Sequence, residues 1–210
     1  MSTGKLRVLC LHGFRQDGET LRMKMGAIRK AFSKLEFDYV DAPLYCDPSD
    51  PKQNERTWYY NKENYGFNPF TDDAATQFEE SVAAIDSKIQ NNGPYDILLG
   101  FSQGGTMAHL YIRHCSLNAP LPFKAVIINA GYPALSPNLI DLMERRFNGP
   151  SMVILSDNDK VIPSNSTEKL LETYSDVVVL RHAGGHGFPA VSFMRKGFQE
   201  LFEKLEKLND

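Results

Sequence analysis

Ile97-Leu98-Leu99-Gly100-Phe101-Ser102-Gln103-Gly104-Gly105-Thr106-Met107-Ala108 is the stretch from which the rest of the chain is read. An apolar, β-favouring run ends at Gly100, Ser102 sits between two glycines in Gly-x-Ser-x-Gly spacing, and small residues follow. The order is that of a buried strand, a sharp turn and a helix. Such a turn lifts a serine hydroxyl above the edge of a sheet, and a side chain at Gly100 or Gly104 would crowd it. The helix that opens at Gln103 also aims backbone N–H groups and its positive dipole end at any negative charge developing beside Ser102.

Outward from this elbow, short apolar runs alternate with helical periodicity. Leu6 to Leu11, Phe37 to Val40, Tyr95 to Phe101, Phe123 to Gly131, Ser151 to Leu155 and Val177 to Leu180 read as strands. Helices are predicted over about Glu19 to Leu35, Asp72 to Gln90 with Thr71 as cap, Gln103 to Cys115, Pro137 to Phe147, Ser164 to Tyr174 and Pro189 to Leu208. Strands that are continuous apolar runs, separated by helices, predict an α/β protein with a mostly parallel six-stranded sheet covered by helices on both faces.

A single domain spanning 1–210 is expected, with one insertion at about 44–71. That segment carries Trp58, Tyr59, Tyr60, Tyr65, Phe67 and Phe70 without a period, so Trp58 and Tyr59 are candidate walls of a pocket for an apolar group.

Composition narrows the function classes. The chain is 42% hydrophobic and 23% charged, with a net charge of -3 and no long run of one sign, which is not the footprint of a nucleic-acid or anionic-membrane partner. No apolar segment approaches the roughly 18 residues of a membrane span, and the first residues lack a signal-peptide core, so a cytoplasmic protein is expected. Cys10, Cys46 and Cys115 are an odd count without metal-ligand spacing; they are expected to be reduced and mostly buried, and neither a metal nor a cofactor is expected.

In parallel sheets functional groups gather at the carboxyl ends of the strands. Those ends carry His12 and Gly13, then Ser102, then Asp157 and Asp159, then His182 and His186. A serine nucleophile needs a base for its proton and a carboxylate that holds the base in one tautomer, and the order serine, aspartate, histidine is the one α/β-hydrolases use. His186, set in Gly184-Gly185-His186-Gly187, has the flexible backbone to swing over the sheet edge, whereas His182 is closer to its strand. Asp159 stands ahead of Val161-Ile162-Pro163, which orients it; Asp157 reads as a turn-former. His12, His109 and His114 read as packed or hydrogen-bonded residues. The oxyanion of an acyl-transfer reaction needs backbone donors, and the Gln103 amide and the Phe14 amide, in a His-Gly loop like that of esterases, are the candidates.

These residues resemble a known family. Leu11-His12-Gly13-Phe14-Arg15-Gln16-Asp17-Gly18, Asp41-Ala42-Pro43, Arg56-Thr57-Trp58-Tyr59, Gly93-Pro94-Tyr95-Asp96, Gly100-Phe101-Ser102-Gln103-Gly104-Gly105, Asp159-Lys160-Val161-Ile162-Pro163 and Gly184-Gly185-His186 together are similar to the FSH group of serine hydrolases. The resemblance covers essentially the whole chain, with its blocks in order. It implies a compact α/β-hydrolase that cleaves small-molecule carboxylic esters through Ser102, Asp159 and His186 without a cofactor. Ser156 is a departure, because many members carry glycine before the acid loop. The acyl-protein thioesterase group shares Gly-Phe-Ser-Gln-Gly-Gly and is the alternative, with a non-catalytic binding protein of the same fold as a third reading.

Overall fold

The computed structural model describes residues 4–50, 54–62, 66–117 and 120–207. Among these, six strands form one sheet: β1 (Leu6–Leu11), β2 (Leu35–Val40), β5 (Ile97–Phe101), β6 (Ala125–Asn129), β7 (Ser151–Ser156) and β8 (Val177–His182). Their order is β2-β1-β5-β6-β7-β8, and all five pairings are parallel. Two short strands, β3 (Leu44–Tyr45) and β4 (Arg56–Thr57), pair antiparallel to each other inside the insertion.

Alternation along the strands sorts side chains into two cores. Leu9, Leu11, Leu98, Val126, Ile128 and Val153 face α3 (Phe78–Asn92), α4 (Gln103–Cys115), α5 (Ile140–Glu144) and α6 (Ser164–Leu171). Val8, Cys10, Leu99, Ile127, Met152 and Ile154 face α1 (Gly18–Lys24), α2 (Gly26–Ala31) and α7 (Val191–Lys207). A strand buried on both faces has no polar side to spare, which is why β5 to β7 read as unbroken apolar runs. The three cysteines are free thiols, Cys10 buried and the other two half-buried.

Two predicted helices differ in detail. The helix expected from Glu19 to Leu35 is two helices that break at Met25, whose ψ is 8°, and the glycine that follows, Gly26, weakens a helix interior. The helix expected from Asp72 under a Thr71 cap starts at Phe78 instead, after Gln77 in a left-handed conformation. Residues 75–76 are held out of it, because Asn138 hydrogen-bonds both the amide and the carbonyl of Ala75, and Thr76 pairs with Tyr60. Thr71 bonds Asp73 instead. Of the insertion aromatics, Tyr65 lies outside the described residues, as does the predicted end of the last helix at Leu208. No helix among the described residues is long and apolar enough to cross a membrane.

Candidate active site

β5 hands over to α4 through Ser102, whose backbone angles of φ 55° and ψ -120° are a strained combination for a residue with a side chain. Its amide donates to the Asn129 carbonyl at 2.8 Å and its carbonyl accepts from Thr106, so the turn is held from both sides. The flanking glycines are required for space. A β-carbon on Gly100 would sit 2.1 Å from the Gly104 carbonyl oxygen, and one on Gly104 would sit 2.3 Å from that of His12. The elbow therefore tolerates no methyl group at either position.

The loops after β7 and β8 converge on this serine. His186 Nε2 lies 3.0 Å from Ser102 Oγ, and His186 Nδ1 lies 2.7 Å from Asp159 Oδ2. The second carboxylate oxygen of Asp159 accepts from the amides of Val161 and Ile162, each at 2.8 Å, and its side chain is 1% exposed. With Asp159 accepting from Nδ1–H, the Nε2 lone pair is free to accept the Ser102 proton. The alternatives weighed from sequence go elsewhere. Asp157 pairs on the surface with Arg181, which also pairs with Glu168. His182 accepts from the Gly184 amide through Nδ1 at 3.1 Å, and burial pushes its pKa down.

The loop after β1 approaches from the other side. A β-carbon on Gly13 would lie 3.4 Å from that of Ser102, so this loop borders the elbow directly. His12 is fully buried; its Nδ1–H donates to the Gly13 carbonyl at 2.8 Å and its Nε2 accepts from the Ala42 amide at 2.9 Å. Burial lowers the pKa of this ring to about 4, so it is neutral near pH 7. The Gly13 carbonyl and the Phe14 amide belong to one trans peptide and point in opposite directions. Fixing the carbonyl on His12 therefore fixes where the Phe14 N–H points. The Gln103 N–H, in the first turn of α4, has no acceptor within its own helix.

Comparison with known proteins decides the family. The family model "Serine hydrolase (FSH1)" matches residues 1–197. The chain belongs to this serine hydrolase family. "Esterase C25G4.2" of Caenorhabditis elegans is 38% identical over 98% of both chains, and "Esterase OVCA2" of Homo sapiens is 31% identical over 95% of this chain and 96% of its own. Among solved structures, esterase PE8 superposes with a TM-score of 0.65 at 25% identity, covering 92% of this chain and 93% of the other. Zea mays acyl-protein thioesterase 2, at 16% identity and a TM-score of 0.62 over 97% and 95% of the two chains, shares the fold.

In this hydrolase four residues carry connections that the sequence reading did not assign. Asn129, at the end of β6, holds the Ser102 amide with its carbonyl and donates from Nδ2 to the Gly187 carbonyl at 3.2 Å, so one residue touches both the elbow and the histidine loop. Ser156, the departure from the family pattern, bonds the Gly184 carbonyl through its hydroxyl and receives the Asn158 amide at 3.2 Å. It ties the acid loop to the histidine loop. Gln103 uses its side chain as well as its backbone: Oε1 accepts from the Trp58 amide at 3.1 Å and Nε2 donates to the Tyr59 carbonyl at 3.1 Å. Phe101 places its ring 5.0 Å from the His186 ring and 5.5 Å from that of Phe188.

Trp58 and Tyr59, the candidate pocket walls, are both fully buried and present no open surface to a bound group. Tyr59 packs edge-on against Phe67, and Phe67 in turn packs 4.8 Å from Phe14. The half-buried rings of Phe14 and Phe67 stand nearer the surface than Trp58 or Tyr59.

Proposed function

We propose that this serine hydrolase cleaves carboxylic esters by acyl transfer through Ser102. The observation that carries this reading is the unbroken series from Asp159 Oδ2 to His186 Nδ1 at 2.7 Å and from His186 Nε2 to Ser102 Oγ at 3.0 Å. His186 takes the Ser102 proton as Oγ bonds to the ester carbonyl carbon, and Asp159 stabilises the imidazolium that results. The negative charge now on the carbonyl oxygen is met by the Phe14 and Gln103 amides, each worth on the order of 10²–10³-fold in rate. The tetrahedral intermediate collapses, the alcohol leaves with the proton from His186, and water repeats the sequence on the acyl-enzyme. Phe14 and Phe67, half-buried on the Phe14 side of the elbow, favour an apolar acyl or alkyl group.

The test is hydrolysis of a p-nitrophenyl ester series of increasing acyl length, with matched thioesters, by the protein and by Ser102→Ala. Ester turnover that rises from acetyl to a longer chain and vanishes in the variant is expected. Turnover that survives in a folded Ser102→Ala contradicts the assignment, and a preference for the thioesters moves the chemistry to thioester hydrolysis.

A further inference from the structure

The family block Arg56-Thr57-Trp58-Tyr59 has no open surface at Trp58 or Tyr59, yet every polar group of Trp58 is in use. Its amide donates to Gln103 Oε1 at 3.1 Å, its carbonyl accepts from Ser81 Oγ at 2.5 Å, and its indole N–H donates to the His12 carbonyl at 2.8 Å. A buried N–H or C=O that finds a partner is ordinary. What is particular here is where the partners lie. His12 opens the loop that carries the Phe14 amide, and Gln103 supplies the other amide. Both bonds reach across a long stretch of chain, 46 residues for the indole to His12 and 45 for the Trp58 amide to Gln103.

The neighbours of Trp58 make the same connection. The Arg15 amide donates to the Arg56 carbonyl at 2.9 Å and the Arg56 amide donates to the Gln16 carbonyl at 3.1 Å, so this block holds the chain just after Phe14, as the indole bond to His12 holds it just before. Thr57 Oγ1 lies within hydrogen-bonding distance of both polar atoms of the Gln103 side chain, at 2.9 and 3.1 Å. The indole packs against the His12 ring with centroids 5.2 Å apart.

From this we infer that Trp58 is a positioning residue for the oxyanion site: the insertion is a clamp that fixes the Phe14 amide relative to the Gln103 amide. Two donors that converge on one oxygen contribute in proportion to their preorganisation, because a donor that must reorient during the reaction gives up part of its stabilisation. Trp58 joins the loop that carries one donor to the residue that carries the other. It touches no substrate, and it acts through His12 and Gln103. The inference rests on the acyl-transfer reading above.

The decisive variant is Trp58→Phe, which keeps an aromatic ring and removes the indole N–H that reaches His12. Its kcat on the best ester is expected to fall on the order of 10-fold, less than the loss for deleting a donor outright, with KM unchanged. Inhibition by a trifluoromethyl ketone, whose adduct with Ser102 carries the oxyanion, is expected to weaken by the same factor. Thr57→Val, which removes the hydroxyl gripped by Gln103, is expected to move both values the same way by less; it carries the test alone if Trp58→Phe does not fold.

A raised KM with unchanged kcat means the block contacts substrate and overturns the inference. So does a folded variant with wild-type kcat and inhibitor affinity. Failure of the acyl-transfer reading is separate and visible in the unmutated protein, as no turnover that depends on Ser102.

Discussion

Ser102, Asp159 and His186 reach one another from the ends of β5, β7 and β8, each one or a few residues past its strand, whereas the Phe14 amide is held by a segment that arrives from outside the sheet. On the first side, parallel register does most of the positioning. β5 pairs with β6, β6 with β7 and β7 with β8, so three loop origins are fixed before any side chain is chosen. On the second side, position depends on long-range hydrogen bonds to a loop whose described residues form two short strands. The same edge thus combines geometry inherited from the sheet with geometry supplied by an insertion. Damage to the first should abolish chemistry, and damage to the second should detune it.

The largest effect that sharpens this contrast is at the acid. Asp159→Asn is expected to lower kcat on the order of 10⁴-fold, because an amide in place of the carboxylate favours the wrong tautomer of His186. Asp157→Asn is expected to change kcat by about twofold at most, since its carboxylate meets Arg181 at the surface, with side chains 48% and 44% exposed. Equal losses in the two variants would break the assignment of the acid and, with it, the claim that the strand ends set the site.

A smaller effect concerns the insertion side and is read as stability. Burial lowers the His12 pKa from 6.5 to about 4, so between those values the unfolded chain binds a proton that the folded chain does not. The contribution of this ring is fully present above about pH 6.5 and declines as pH falls toward 4, where the folded ring also protonates; the loss amounts to about 3 kcal/mol. Burial depresses His109 and His182 in the same direction. Urea unfolding between pH 4 and pH 7 measures the slope, and His12→Asn should flatten part of it. An unchanged slope in that variant would mean that His12 is not the buried neutral clamp described here.

What could be read from the sequence follows the same division. Gly100-Phe101-Ser102-Gln103-Gly104 announced the elbow because steric exclusion at two glycines leaves few substitutes. Asp159 was separable from Asp157 because Val161-Ile162-Pro163 follows it, and the amides of Val161 and Ile162 both donate to its carboxylate. The clamp was not separable from a pocket, because a tryptophan looks the same in sequence whether its ring faces substrate or a carbonyl 46 residues away. The start of α3 was missed for a related reason: Thr71 has the capping chemistry, but Asn138 and Tyr60 hold residues 75–76 in another conformation. Asn129 and Ser156 act through loop-to-loop contacts that no local pattern encodes.

The central claim is that Ser102 is an activated nucleophile held by His186 and Asp159, and labelling by a fluorophosphonate probe tests it most directly. The folded protein should be labelled stoichiometrically and rapidly. Ser102→Ala and heat-denatured protein should not be labelled at all. A well-folded sample that resists the probe, or labelling that persists without Ser102, would contradict the account.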